Sequence, residues 1–222
     1  MKISIHKEYK LRAFTRAELF MVLFMVFAFV FLIYSALILT KTTSKAQRCQ
    51  ANLRSVAYAF HRFYRQSRPD YSFRYSTNES GTQEYIKGAD SYQHFRVLTN
   101  ELEHPRLLVC PSDARKPAVS IQSVTNENLS YFLNLDASPV LPNAFLSGDR
   151  LLIGNPQRME GLLIPGGNGC FQWNSNLHNR TSQQPEGNIV MSDGSVSQLT
   201  SQELTKQFTN RHNSKNRFLF PE

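Results

Sequence analysis

The stretch FTRAELFMVLFMVFAFVFLIYSALILT, from Phe14 to Thr40, decides most of the fold. From Leu19 to Thr40 it contains no charged residue. At the rise of an α-helix these residues reach about 33 Å, enough to cross the roughly 30 Å hydrocarbon core of a bilayer. The stretch therefore predicts a membrane-spanning helix over about residues 19–40, and it leaves one acid, Glu18, at the edge of the hydrocarbon.

Two simple kinds of segment explain part of this pattern. A secretory signal peptide also places basic residues before an apolar core, but its core is shorter and ends at a small-residue cleavage site. The residues from Ser35 to Thr40 match such a site only loosely. A plain single-pass anchor explains the length, and it makes Glu18 an interfacial acid within reach of Arg12 or Arg16. Because a carboxylate at the edge of hydrocarbon is costly without a cation, the anchor requires such a pair.

A third interpretation gives the acid a function. Ala13-Phe14-Thr-Arg-Ala-Glu18 and the apolar run resemble the class III signal of type IV prepilins and type II secretion pseudopilins. In that family a membrane peptidase cuts just before the Phe and methylates the new amino group. The family's Glu pairs with the N-terminal ammonium of a neighbouring subunit, where low dielectric makes a missing partner costly. The resemblance implies a leader over residues 1–13, cleavage between Ala13 and Phe14, and an assembly role for Glu18.

The resemblance also implies partners and a location. The partners are a prepilin peptidase and other pilin or pseudopilin subunits, and the location is the bacterial inner membrane. The positive-inside bias is slight, so charge alone does not fix the orientation. The resemblance implies that the chain crosses the membrane once, with its N-terminus cytoplasmic and its head periplasmic. Two residues depart from the family pattern: Ala13 replaces the usual Gly, and Arg16 replaces an apolar residue. Arg16 lies within one helical turn of Glu18 and can neutralise part of its charge.

The helical pattern continues beyond the membrane. Leu53, Val56 and Phe60 belong to an apolar series at intervals of three and four residues, which is typical of an amphipathic helix packed on a core. No Pro or Gly occurs from Phe14 to Arg68, and Pro69 ends the pattern. We therefore predict one helix over residues 14–68, with a transmembrane half and an amphipathic half.

The remainder, residues 69–222, predicts one globular head with short strands. The clearest hairpin joins residues 188–192 and 195–199 through Asp193-Gly194, because Asp-Gly supplies the positive φ angles of a tight turn. Ser201 is the expected cap of a following helix. The other candidate strands are residues 106–110, 129–135, 151–154, 161–164 and 169–173. The fold class is thus α+β, with the long helix packed on a small antiparallel sheet.

The head carries a second resemblance, through four segments in a fixed order. They are Leu108-Val-Cys-Pro-Ser-Asp113, residues 130–136, residues 146–150, and His178 followed by the Asp193-Gly194 hairpin. In this arrangement they resemble the pseudopilin-like proteins numerous in planctomycetes and verrucomicrobia, in which a histidine precedes a closing Asp-Gly hairpin. The biochemical activity of that family is poorly defined, so this resemblance points to a class of protein and not to a reaction.

Candidate chemistry in the head is limited. His178, Asp193 and Ser195 are the residue types of a hydrolase triad, but Ser195 lacks a nucleophile elbow and a Gly-rich oxyanion loop. The simpler expectation is that Asp193 and Gly194 form the turn while His178 binds a backbone carbonyl or that carboxylate. Calcium is a further candidate, since hard oxygen ligands suit it, although no calcium-loop spacing is present. The candidate ligands, all expected on loops, are Asp113, Asp136, Asp149 and Asp193.

The three cysteines leave two states open. Outside the inner membrane a disulfide can persist, and Cys110 with Cys170 is the plausible pair because both lie in the head. Cys110 could equally be a buried thiol before a Pro turn. Cys49 is expected to be an ordinary helix residue, and no Cys pair has zinc spacing.

The charge of the chain gives little support to nucleic-acid binding. The net charge is +8, and aromatic residues alternate with arginines from Tyr58 to Tyr75. A helix stripe followed by a packed loop explains these aromatics more simply than base stacking does. Two functions of different class therefore remain. One is a structural pseudopilin-like subunit of a secretion or pilus-like filament, without catalysis or cofactor; the alternative is a permanently anchored cell-envelope binding or enzymatic domain.

Overall fold

The computed structural model describes residues 15–65, 69–87, 90–154, 161–165, 170–175, 177–178, 184–209 and 216–222, and the side chains of all but 38–44, 65, 87 and 154. Ala13 and Phe14, the expected cleavage residues, lie outside this range. The chain forms two compact units, Met1–Lys41 and Thr42–Glu222. The coarse α+β class is confirmed, because a long N-terminal helix accompanies an antiparallel sheet of 6 strands.

Helix α1 is the first element and spans Arg16–Arg65. In the amino-terminal unit its segment Arg16–Leu37 is 22 residues long and apolar enough to cross a membrane. Its apolar side chains there point outward on all sides, and Phe24, for example, is 73% exposed. A helix that is apolar all round requires an apolar medium, which agrees with the predicted span.

The second unit, Thr42–Glu222, contains the rest of α1 and all the strands. Two further α-helices are α2 (Gln93–Arg96) and α3 (Ser201–Thr209). The strands are β1 (Tyr131–Asn134), β2 (Phe145–Asp149), β3 (Leu152–Gly154), β4 (Leu162–Leu163), β5 (Phe171–Trp173), β6 (Glu186–Met191), β7 (Val196–Thr200) and β8 (Phe218–Leu219). Short 3-10 helices cover Ser72–Arg74, Thr77–Glu79, Gln83–Lys87, Pro105–Leu108, Ile121–Ser123 and Asn126–Asn128.

The main sheet has the order β4-β8-β1-β2-β6-β7, and β3 pairs with β5 in a second, two-stranded sheet. Every pairing among the described strands is antiparallel, and β2 carries a bulge between Phe145 and Ser147 opposite β6. The β6–β7 hairpin is confirmed, with Val190 opposite Val196. At its turn Gly194 has a φ of 85°, the left-handed region that the Asp-Gly pair predicts.

The core lies on both faces of the main sheet. Successive strand residues alternate between two apolar clusters, because adjacent side chains of a strand point to opposite faces. Leu133 belongs to the cluster that contains Leu53 and Phe60 of α1, whereas its neighbour Phe132 packs with Phe208 of α3. The sheet is therefore a middle layer, with the second half of α1 on one face and α3 on the other.

Two local expectations are wrong. Residues 106–110 are not a strand, because Pro105 begins a 3-10 helix that runs to Leu108. The cap of α3 is Thr200 and not Ser201. The Thr200 Oγ1 accepts a hydrogen bond from the Glu203 N–H at 3.3 Å, and the Glu203 carboxylate accepts from the Thr200 N–H at 2.9 Å. This reciprocal pair is a capping box, which Thr200-x-x-Glu203 encodes.

Candidate functional sites

The first site is the start of α1, where Glu18 contacts Thr15. The backbone N–H of Thr15 donates to Glu18 Oε2 at 2.8 Å, and the N–H of Glu18 donates to Thr15 Oγ1 at 3.3 Å. The two residues thus form a capping box, which satisfies two of the amides that a helix start leaves unpaired. The pattern Thr-x-x-Glu was visible in the sequence, and it gives Glu18 a local role that requires no cation.

The second site is a buried cluster inside the head, made of Cys49, Cys110, Asp149 and His178. Their side-chain ligand atoms all lie within 4.8 Å of one another. The exposed fractions of the four residues are 0%, 1%, 0% and 3% in that order. The cluster is therefore closed to solvent, and its polar atoms depend on other protein groups for partners.

Each of the four residues comes from a different part of the fold. Cys49 lies on the face of α1 that packs on the sheet, and Asp149 is the last residue of β2. Cys110 follows the 3-10 helix Pro105–Leu108, and Pro111 and Ser112 form the turn after it. His178 lies beyond β5, and its carbonyl accepts a hydrogen bond of 3.5 Å from the Gln198 side chain.

The contacts within the cluster are short. The Cys49 thiol donates to Asp149 Oδ1 at 3.1 Å, and His178 Nε2 lies 3.3 Å from Asp149 Oδ2. The same Nε2 lies 3.3 Å from Cys110 Sγ. Two sulfurs, one imidazole nitrogen and one carboxylate therefore face a common centre.

Neighbouring groups hold the four side chains in these orientations. Ser112 Oγ lies 3.1 Å from His178 Nδ1, which directs the other ring nitrogen into the cluster. The N–H of Ser112 donates to Cys110 Sγ at 3.4 Å, and the N–H of Asn188 donates to Asp149 Oδ2 at 2.7 Å. The hydroxyl of Tyr131 lies 3.5 Å from Cys49 Sγ.

The electrostatics follow from burial and from these contacts. Burial lowers the pKa of His178, but its hydrogen bonds to Asp149 and Cys110 outweigh that effect and raise it to about 10. Burial raises the pKa of the Cys49 thiol well above its usual range. The hydrogen bond with Cys49 lowers the pKa of Cys110 more than burial raises it. Without an added cation, the cluster thus favours a protonated His178 beside Asp149 and a protonated Cys49.

The sequence patterns did not reveal this cluster. Cys49 was expected to be an ordinary helix residue, and His178 was expected to bind a carbonyl or Asp193. Its carboxylate partner is instead Asp149, which ends a strand and does not lie on a loop. Metal-site motifs rely on ligands a few positions apart, whereas Cys110 and His178 are separated by 68 positions. The Cys110-Pro-Ser-Asp113 segment and His178 both belong to the second resemblance, but nothing in their spacing pairs them.

The proposed calcium ligands do not come together in the described part of the chain. Asp113 forms an ion pair with Arg150 at 2.8 Å, and Asp136 forms one with Arg217. Asp193 accepts a hydrogen bond from the Ser195 N–H at 2.8 Å within the turn. Each carboxylate has its own partner, and among the described residues only Asp149 belongs to a group that could hold a metal ion.

Of the two states left open for Cys110, the structure has the buried free thiol, and no disulfide joins it to Cys170. Cys110 is buried beside His178, whereas Cys170 is exposed and its Sγ accepts a hydrogen bond from the Gln172 side chain at 3.8 Å. The residue near Cys110 is Cys49. A hydrolase triad is not assembled either, since His178 is buried against Asp149 while Ser195 is exposed at the hairpin turn.

Comparisons of the chain with models of known protein families, with curated proteins and with solved structures gave no match.

Proposed function

We propose that the chain is a pilin-like subunit that α1 holds in the bacterial inner membrane until it enters a secretion or pilus-like filament. In this proposal a prepilin peptidase cuts between Ala13 and Phe14, the head lies in the periplasm, and the chain performs no catalysis itself. The observation that carries the proposal is the position of Glu18. This acid lies in the first turn of a helix that exposes apolar side chains for 22 residues.

The capping box gives Glu18 a second role, and that role is compatible with an assembly role for the same carboxylate. Glu18 Oε2 accepts from the N–H of Thr15, and Thr15 would be the second residue of the processed chain. The carboxylate therefore lies one residue from where the new ammonium of Phe14 would form. At this place it can bind the amides of its own helix and also face the ammonium of a neighbour, because a carboxylate accepts about four hydrogen bonds.

The experiment separates the charge of Glu18 from its capping contact. Glu18→Gln keeps an acceptor for the Thr15 N–H, since Gln also serves in capping boxes, but it loses the charge. Thr15→Ala removes the hydroxyl of the box and keeps the charge. Lysine-reactive cross-linking in intact membranes is expected to show oligomers for wild type and Thr15→Ala, and at least a tenfold loss, or about 1.4 kcal/mol, for Glu18→Gln.

Mass spectrometry of each variant provides the control. All three proteins are expected to begin at methylated Phe14, so a loss of oligomers cannot be attributed to failed processing. If Glu18→Gln forms oligomers like wild type, the acid serves the helix cap alone. That outcome would favour the permanently anchored envelope domain.

A further inference from the structure

We propose that Cys49, Cys110, Asp149 and His178 form a structural zinc site that ties α1 to the sheet of the head. The proposal is independent of filament assembly. It rests on the convergence of four metal-binding side chains from four separate parts of the second unit, each no more than 3% exposed.

The types of ligand atom fit zinc. Zinc in structural sites is bound by four protein ligands in a tetrahedron, and thiolate sulfur, imidazole nitrogen and carboxylate oxygen are its usual donors. Calcium and magnesium take oxygen ligands, so two cysteines and a histidine argue against both. Four protein ligands with no solvent access leave no open position for a substrate, which is the property of a structural site.

The distances fit as well. Typical zinc bonds place neighbouring ligand atoms of a tetrahedron about 3.3 to 3.8 Å apart. The measured separations are 3.1 Å from Cys49 Sγ to Asp149 Oδ1 and 3.3 Å from His178 Nε2 to Cys110 Sγ. His178 Nε2 to Asp149 Oδ2 is also 3.3 Å. These three separations lie within about 0.5 Å of the tetrahedral values, and all four ligand atoms lie within 4.8 Å of one another.

The groups around the four ligands provide the second argument. Metal-bound histidine usually gives its other ring nitrogen a hydrogen-bond partner, and here Ser112 Oγ occupies that position at 3.1 Å from Nδ1. With zinc bound, the two thiolates and the carboxylate would carry one negative charge in excess of the ion. Each of these three anions has a donor within reach: Tyr131 hydroxyl for Cys49, Ser112 N–H for Cys110 and Asn188 N–H for Asp149.

A buried ion pair between His178 and Asp149 is the simpler alternative. It accounts for two of the four residues but gives no reason for two thiols to face the same centre. A disulfide between Cys49 and Cys110 is the other alternative, and the periplasm would permit it. Zinc accounts for all four residues together.

The test uses the full-length protein purified in detergent with its native cysteines. Metal analysis by mass spectrometry is expected to find about one zinc per chain in wild type. Cys110→Ala and Asp149→Asn are expected to lower this to a tenth or less. Cys170→Ala is the matched control, because Cys170 is an exposed free thiol outside the cluster, and it is expected to keep the zinc. Cobalt in place of zinc should give the visible bands of a tetrahedral site with thiolate ligands.

If the variants fail to fold, a measurement on the wild-type protein alone still tests the proposal. A strong chelator is expected to remove the zinc and lower the midpoint of thermal unfolding, and added zinc is expected to restore it. Wild-type protein without zinc would overturn the proposal, as would an intact mass about 2 Da below that of the reduced chain, which indicates a disulfide. Zinc that remains in Cys110→Ala would also overturn it.

Discussion

Both halves of α1 are α-helical, but their apolar side chains have different surroundings. In the first half Phe20 and Phe24 are 72% and 73% exposed, and apolar residues occur on every side. In the second half Leu53 and Phe60 are fully buried in a single stripe against the head. The distribution of apolar residues around the axis, more than their number, therefore decides which surroundings a helix requires.

The largest expected effect comes from the same substitution made in each half. Phe60 packs edge-on against the rings of Tyr71 and Phe73, with 5.9 Å between ring centroids in both pairs. Phe60→Ala is expected to lower the free energy of unfolding of the head by about 3 to 5 kcal/mol, because it leaves a cavity. Phe24→Ala is expected to change it by less than about 0.5 kcal/mol. The chain has one tryptophan, Trp173 in the buried core of the head, so its fluorescence follows denaturation of the head alone.

An equal loss of stability in the two variants would contradict this comparison. It would mean that the stability of the head depends on the first half of α1 as strongly as on its own core.

The second-largest expected effect is a pH dependence of stability that arises from His94, which packs against Phe73. His94 packs edge-on against Phe73, its Nδ1 lies 2.7 Å from Thr82 Oγ1, and burial lowers its pKa from 6.5 to about 4. The unfolded chain therefore binds a proton between these pH values that the folded chain does not. The contribution of His94 to stability is complete above pH 6.5 and is lost as the pH falls toward 4.

The measurement is the free energy of unfolding at pH 7 and at pH 4, in wild type and in His94→Gln. We expect the decrease on acidification to be smaller by about 3 kcal/mol in the variant, since it has no imidazole to protonate. Equal decreases in the two proteins would show that other groups dominate the acid response. The aromatic packing of the second half of α1 would then be insensitive to this histidine.

The smallest effect tests the hairpin turn that lies beside the second half of α1. A Cβ added at Gly194 would meet its nearest atom, His61 Nε2, at 3.9 Å, so space is adequate and the cost arises from the φ of 85°. Gly194→Val is expected to destabilise the head by about 1 to 2 kcal/mol. Ser195→Ala is the control, because Ser195 is exposed and binds Asp193 through its backbone N–H. Equal thermal midpoints for Gly194→Val and wild type would show that the turn relaxes without cost.

Elements with strong local patterns were predictable from the sequence. Both halves of α1 follow from the apolar run and the three- and four-residue spacing, and the β6–β7 hairpin follows from Asp193-Gly194. The shorter strands β3, β4 and β5 fall within their predicted segments, as does β1. In each case the interaction that decides the structure acts between residues close together in the sequence, so a local pattern predicts the element.

Elements that depend on distant partners were not predictable. β2 contains Gly148, which strand propensity disfavours, and a Cβ there would lie 2.9 Å from the Phe132 ring. β8 has two residues and exists because β1 and β4 pair with it. The Cys49 cluster is the extreme case, since its four residues meet only after α1 and the sheet have packed. The Thr15-Glu18 capping box, in contrast, depends on residues three positions apart, and the local pattern Thr-x-x-Glu encodes it.

The position of Cys49 also has a mechanical consequence. Thr42 is the first residue of the second unit, and Ala46 and Cys49 are the first of its residues with buried described side chains. A mechanical force applied to the chain before Thr42 therefore reaches the second unit through α1. The contacts of Cys49 with Asp149 and Tyr131 are among the first side-chain contacts on which that force acts. These contacts reach β2 and β1 at the centre of the sheet. We therefore expect a force applied to α1 to act on the two central strands of the main sheet before it acts on the edge strands β4 and β7.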